Sequence, residues 1–138
     1  MSRSIGDSMP APLLVQLARS DETDDEASAL LLVTVDDDGA PRVSFLSARE
    51  VDVFDERRLS IEVRRGTATS QNLRRGQTAA LWCVLDAAAY SIRLKPSEAE
   101  ASPEDPAYER FPFRVQDVLR DFEAGAPLIA GPTYRVLS

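Results

Sequence analysis

The sequence predicts a mainly β, α+β domain: an antiparallel barrel of six to seven strands with short N-terminal, middle and C-terminal helices. Three observations predict it. Six apolar or alternating runs of strand length follow one another between Ala29 and Lys95, mostly joined by short turns. Only one interval among them, Gly66 to Gly76, has the length and punctuation of a helix. The 138 residues, 43% of them apolar, suit one domain spanning 1–138 around one core.

The first residues, 1–8, are polar and are expected to be loose or extended. Leu13, Leu14 and Leu17 then recur at helical spacing behind Pro10 and Pro12, which predicts a short amphipathic helix from about Pro12 to Arg19. The acidic stretch from Asp21 to Glu26 reads as a solvated connecting loop. Carboxylates suit hard cations, but the stretch lacks the glycine and ligand spacing of a calcium loop. The run from Ala29 to Val35 is nearly all apolar and predicts a first strand buried on both faces, partly against another subunit.

Asp36-Asp37-Asp38-Gly39 signals a hairpin turn, with Asp38-Gly39 able to take positive φ. The return strand runs from Pro41 to Ser47, with Ser44 and Leu46 on one face and Val43 and Phe45 on the other. Val51 to Phe54 is the third strand and Leu59 to Arg64 the fourth, where Leu59, Ile61 and Val63 face the core.

The segment from Arg64 to Gly76 supports two readings. The plainer is a capped helix: Thr67 or Thr69 at the N-cap, Arg74 and Arg75 at the negative end of the dipole, Gly76 at C′. The sharper is an anion cradle, with unpaired N–H groups at the helix start and Arg64 and Arg65 just before the turn. The spacing is neither that of a Walker loop nor that of a dinucleotide fingerprint.

Thr78 to Leu85 is a fifth strand, and Ala89 to Lys95 a sixth with Tyr90, Ile92 and Leu94 inward. Trp82 reads as core packing rather than a partner for a ring. Residues 96–106 form an acidic, proline-bearing loop. Val115, Val118, Leu119 and Phe122 share one helical face between Pro112 and Gly125, which predicts a C-terminal helix from Pro112 to Phe122. Thr133 to Leu137 is a last strand.

Composition removes several function classes. The formal charge is −7, from 23 acidic and 16 basic residues, so the overall field repels nucleic acid and anionic membranes. There is no histidine, hence no Ser-His triad, no Cys-His dyad and no His-ligated metal. No metal site is expected. The single cysteine, Cys83, lies mid-strand among apolar residues and reads as an inert core thiol. No run has transmembrane length and the N-terminal stretch lacks a signal-peptide core, so the expected compartment is the cytoplasm.

The hairpin from Leu32 to Ser44, which contains Thr34-Val35-Asp36, Asp38-Gly39, Pro41 and Val43-Ser44, resembles the first hairpin of the FMN-binding split barrels, the pyridoxamine 5′-phosphate oxidase-like family. That hairpin usually reads x-T-V-D-x-D-G-x-P-x-V-S. Gly66 to Arg75, with Asn72-Leu73-Arg74, falls where the family carries its S-x-K-x-x-N-L-R-x helix. The element order matches from about Ala29 to Lys95. The resemblance implies a split β-barrel that forms a homodimer with flavin at the subunit interface. It places Ser44, with the backbone of Val43 and Phe45, along the isoalloxazine and ribityl chain. It places Thr67 at the FMN phosphate and Asn72 near it.

The chain also departs from the family pattern. Ala68 and Thr69 stand where a basic residue often follows the position of Thr67. Ser44 stands where true pyridoxamine-phosphate oxidases have a second-strand arginine, and Asp86-Ala87-Ala88-Ala89 replaces their glutamine and serine pattern. Specific vitamin-phosphate oxidation is therefore disfavoured. A phosphate needs charge compensation. Arg64 or Arg65 could supply it from the turn, beside the hydroxyl of Thr69, and Arg42 from the hairpin.

Two functions follow as expectations. One is an FMN-dependent oxidoreductase of unassigned substrate, with no catalytic side chain identified and Tyr90, Tyr134 and Arg135 as pocket candidates whose plainer roles are packing and surface. The other is a split-barrel dimer that lacks FMN, or binds another small molecule such as a deazaflavin, and acts as a non-catalytic binding or structural module.

Overall fold

The computed structural model describes residues 1–18, 26–97 and 103–137. The acidic stretch at 21–25, Arg19 and the centre of the 96–106 loop lie outside the described residues.

Among the described residues ten strands and two short helices form. In chain order they are β1 (Ser2–Ser4), α1 (Ala11–Leu17), β2 (Glu26–Ser28), β3 (Leu30–Val35), β4 (Pro41–Leu46), a 3₁₀ turn (Ala48–Glu50), β5 (Val51–Asp55), β6 (Arg58–Arg64), α2 (Ala68–Arg74), β7 (Ala79–Leu85), β8 (Ala88–Pro96), β9 (Tyr108–Asp121) and β10 (Thr133–Arg135). Eight strands make one antiparallel sheet curled into a half barrel, in the order β4-β3-β7-β8-β9-β6-β5, with β1 also on β9. A separate ribbon pairs β10 with β2.

Alternation explains the curl. Leu30, Leu32, Leu81, Cys83, Ile92, Leu94, Leu59 and Ile61 point to the concave side and are buried. Each fully buried leucine contributes roughly 2 kcal/mol through removal of apolar area from water. The α1 helix closes the core with Leu13 and Leu17, and Met9 packs with them. It begins behind Pro10, with a second proline in its first turn where a missing N–H costs nothing. Among the described residues no helix is long and apolar enough to cross a membrane.

The predicted β3-β4 hairpin forms in register, from Leu30 opposite Leu46 to Val35 opposite Pro41. Gly39 takes φ +88° in its turn. Both faces of β3 were expected to be buried, partly against another subunit; within the single chain one face is. Leu30, Leu32 and Thr34 are buried while Leu31, Val33 and Val35 are only partly covered on the convex side. Trp82 shares that half-covered side, opposite Leu31, so it is not a core residue.

The largest correction concerns the C-terminal third. Pro112 to Phe122 is not a helix: all of it but Phe122 belongs to β9, a strand of 14 residues that carries β8 on one side and β6 and then β1 on the other. A bulge misled the periodicity. Arg93 pairs with Asp117 but Leu94 pairs with Val115, so Gln116 is extra. Phe113 and Val115 are inward before the bulge and Val118 after it. The phase slip produces a three-residue step that imitates one helical turn. Pro112 is tolerated because β8 ends beside it: its carbonyl accepts from the Ser97 N–H beyond that end.

At the N-terminus, of the two expectations, loose or extended, the second holds for Ser2–Ser4, and its pairing with Leu119–Asp121 at the side of β9 that β6 leaves open was not foreseen. The last strand is shorter than its expected extent to Leu137, and its partner is β2, which the sequence did not announce.

Candidate functional site

The site is built where β6 hands over to α2. Gly66 adopts φ +80°, a conformation that costs glycine little, and turns the chain. Thr67, rather than Thr69, caps α2: its Oγ1 accepts from the Ser70 N–H at 3.1 Å and donates to the Arg64 carbonyl at 2.8 Å. The cap therefore ties the helix to the strand end. Gly76, at φ +73°, ends the helix as predicted.

One face of α2 looks at the β3-β4 hairpin. Thr69 and Asn72 are one helical turn apart and both are buried. Thr69 Oγ1 and Ser44 Oγ lie 2.6 Å apart and share a hydrogen bond. Asn72 Nδ2 donates to Thr34 Oγ1 at 3.0 Å and to Asp36 Oδ1 at 2.8 Å. Arg75 donates to the Asn72 side-chain oxygen and to the Val35 carbonyl. Every polar atom of Asn72 is thus spent on holding the helix to the hairpin.

Beside the Ser44–Thr69 pair opens a cleft of about 310 Å³. Ser44, Phe45 and Leu46 line it from β4, Val63 and Arg64 from β6, and Thr67 and Thr69 from the start of α2. Glu50 of the 3₁₀ turn and Tyr108, the first residue of β9, complete the lining. Five of the nine sequence-predicted residues, Ser44, Phe45, Arg64, Thr67 and Thr69, meet here. Arg64 sits over the Tyr108 ring, 5.6 Å from its centre, and it is the one cation in the lining.

The other four are elsewhere. Arg65 faces away: it donates to the Pro106 and Tyr108 carbonyls and to Glu109, each at 3.1 Å. Arg74 binds the same carboxylate, and with Arg65 it holds the Glu109 carboxyl below its usual range. Arg42 forms a two-pronged pair with Asp36 at 2.8 and 3.2 Å and lowers that carboxyl. Val43 is exposed on the convex side, and Asn72 is occupied as described. So of the three arginines proposed as charge compensation, only Arg64 reaches the cleft.

Four lining residues were not nominated from the sequence: Leu46 and Val63, read only as strand residues, and the polar Glu50 and Tyr108. Glu50 closes a capping box with Ser47, whose N–H and Oγ both donate to Glu50 Oε1, at 3.4 and 3.1 Å. Burial pushes its carboxyl up, the Ser47 bonds partly offset that, and Glu62 adds a like charge. The Ser47-x-x-Glu50 spacing was the available signal. Tyr108 had none: it follows a proline-bearing loop and is brought in only by the pairing of Arg64 with Tyr108 across β6 and β9.

The pocket candidates Tyr90 and Arg135 do not line the cleft. Tyr90 is buried and accepts from Arg120, and Arg135 is exposed. Tyr134 packs edge-on against Phe45, ring centres 5.4 Å apart. Cys83 is buried, and desolvation pushes its thiol up to about 12, as an inert thiol requires.

No family profile and no curated protein matches the chain. Solved structures do. A candidate pyridoxamine 5′-phosphate oxidase from Lactobacillus delbrueckii superposes with a TM-score of 0.65 at 16% identity, over 84% of this chain and 98% of that one. A protein related to general stress protein 26, of the pyridoxinephosphate oxidase family, from Clostridium acetobutylicum gives 0.54 at 12% identity, over 83% and 88%. An FMN-binding protein from Syntrophomonas wolfei gives 0.54 at 12% identity, over 66% and 75%. The chain therefore has the split-barrel fold that these pyridoxamine 5′-phosphate oxidase-like and FMN-binding proteins share.

Proposed function

We propose that the cleft binds a flavin, with FMN as the reference ligand, and that the protein is a cytoplasmic flavin-dependent oxidoreductase acting as a homodimer. The observation that carries the reading is the hydroxyl pair Ser44–Thr69 beside Arg64, at one cleft of a split barrel.

The residues fit a flavin of this kind at both ends. Arg64, with the hydroxyls of Ser44, Thr67 and Thr69, would hold the phosphate and ribityl oxygens. Leu46 and Val63 give an apolar floor that keeps water from the ring. Bound flavin supplies hydride or electron transfer, and with no histidine in the chain, no side chain here is assigned a proton-transfer role.

An apolar face supports the homodimer. On the convex side Phe45, Leu31 and Trp82 align across three strands, as do Val43, Val33 and Ala80. Val43 is 62% exposed and Phe45 56%. Phe45 belongs to both this face and the cleft lining, so a second copy seated there would also close the cleft. Sedimentation at micromolar concentration should give twice the chain mass.

The test is an FMN titration followed by fluorescence and visible absorbance. The wild type should quench FMN saturably. Thr67→Asp keeps the bond from the Ser70 N–H, loses the one to the Arg64 carbonyl and adds a carboxylate in the cleft, so binding should vanish while stability falls by only about 1 kcal/mol. A wild type that leaves FMN unquenched contradicts the proposal. A specific observation supports the second reading, a binding module for a deazaflavin or other ligand: a single cation shares the cleft with a carboxylate. Quenching of a deazaflavin by a protein that ignores FMN would favour it.

A further inference from the structure

We propose that Glu50 is a specificity-determining residue of the cleft: its carboxylate limits the negative charge that can settle beside Arg64, so the site accepts a singly charged phosphate group and discriminates against a dianion. This deepens the flavin reading and rests on it.

Among the described residues Arg64 is the only cation in the lining and Glu50 the only carboxylate. The hydrogen bonds to Glu50 among the described residues come from Ser47, and both land on Oε1. The other carboxylate acting on it, Glu62 on β6, is bonded to Arg110 of β9 at 3.1 Å and is not in the lining. From β9 the lining gains only the Tyr108 phenol, while β4 contributes Ser44, Phe45 and Leu46 and α2 contributes Thr67 and Thr69, none of them charged near neutral pH. Arg49, on the same turn, is not in the lining, and Asp52 of β5 is exposed.

The cleft lining therefore carries one positive and one negative charge once Glu50 is ionised. A dianionic phosphate beside Arg64 then leaves excess negative charge in a partly desolvated space, where like charges repel more strongly than in water. A monoanion leaves far less. Burial keeps Glu50 protonated to a higher pH than a free glutamate. As pH rises, its ionisation and the second ionisation of a phosphate monoester, near pH 6, weaken binding in the same direction.

FMN and riboflavin separate this effect from recognition of the ring, because riboflavin carries no phosphate. Dissociation constants of both should be measured at about pH 5.5 and about pH 8, on either side of the phosphate's second pKa of about 6. In the wild type the preference for FMN over riboflavin should fall roughly tenfold across that range. In Glu50→Gln, which keeps the Ser47 bonds, most of that preference should return at the higher pH. Glu50→Asp keeps the charge and should keep the fall, and circular dichroism checks that each variant is folded. Equal preferences in wild type and folded Glu50→Gln at the higher pH would overturn the role of Glu50 while leaving flavin binding intact. If neither protein binds FMN or riboflavin at either pH, the flavin reading fails and this inference fails with it.

Discussion

Arg64 and Arg65 are adjacent at the end of β6 and are used in opposite ways. Alternation of the strand sends Arg65 toward the start of β9, where Glu109 and two carbonyls absorb its hydrogen-bonding capacity. It sends Arg64 over Tyr108 into the cleft, with no carboxylate partner. The same division runs along α2. Thr69, in the first turn of the helix, shares a hydroxyl bond at the cleft, whereas Asn72, one turn further, is consumed by Thr34, Asp36 and Arg75. The motif that marks this fold thus holds two kinds of residue, those that lock the helix to the barrel and those left facing the cleft. Charge satisfied inside the chain is a sign of the first kind.

Variants of the two kinds should separate stability from binding. The largest loss of stability is expected for Asn72→Ala, which strips the buried Thr34 hydroxyl of its donor and frees α2 from the hairpin. Urea unfolding should show a loss of about 2–3 kcal/mol. Arg64→Gln should do the reverse. Its unfolding midpoint should stay near that of the wild type, because an exposed guanidinium over a half-buried ring contributes little, about 1 kcal/mol. Its FMN affinity should fall by roughly tenfold or more, the loss of one charge-assisted contact. If Arg64→Gln unfolds as readily as Asn72→Ala, the division does not hold.

Acid titration gives a smaller contrast between two glutamates. Glu109 has its carboxyl lowered by Arg74 and Arg65. Its contribution is complete above the unfolded value of 4.5 and disappears as pH falls through the lower folded value. Glu109→Gln should remove that acid-sensitive step from the urea midpoint. Glu50 has the opposite sign. Its raised carboxyl favours the fold below the unfolded value, and that advantage is lost as pH rises through the higher folded value. Glu50→Gln should therefore be slightly more stable than wild type at neutral pH and not in acid. This is the smallest effect of the series, and its sign is what matters.

These contrasts also show what could be read from residues alone. The strands from Leu30 to Pro96, the Asp38-Gly39 turn and the capped helix ending at Gly76 were legible because each rests on local signals: alternation, turn chemistry and caps. β9 was not, because the bulge at Gln116 shifts the phase of a strand into a helical pattern, and bulges depend on the partner strand. β1 and β2 were not, because three-residue strands have too few side chains to show a period. Within the site, Ser44, Thr67 and Thr69 could be nominated from the motif. Sorting Arg64 from Arg42 and Arg65 required the positions of Glu109 and Asp36 relative to each guanidinium. Tyr108 reached the cleft only through long-range pairing with Arg64.

The most direct test pairs the two neighbouring arginines in one experiment: FMN titration and urea unfolding of the wild type, Arg64→Gln and Arg65→Gln. The predicted result is FMN binding by the wild type, weakened in Arg64→Gln at unchanged stability, and retained in Arg65→Gln at reduced stability. Equal loss of FMN affinity in both variants, or none in either, would contradict the assignment of Arg64 to the ligand and Arg65 to the fold.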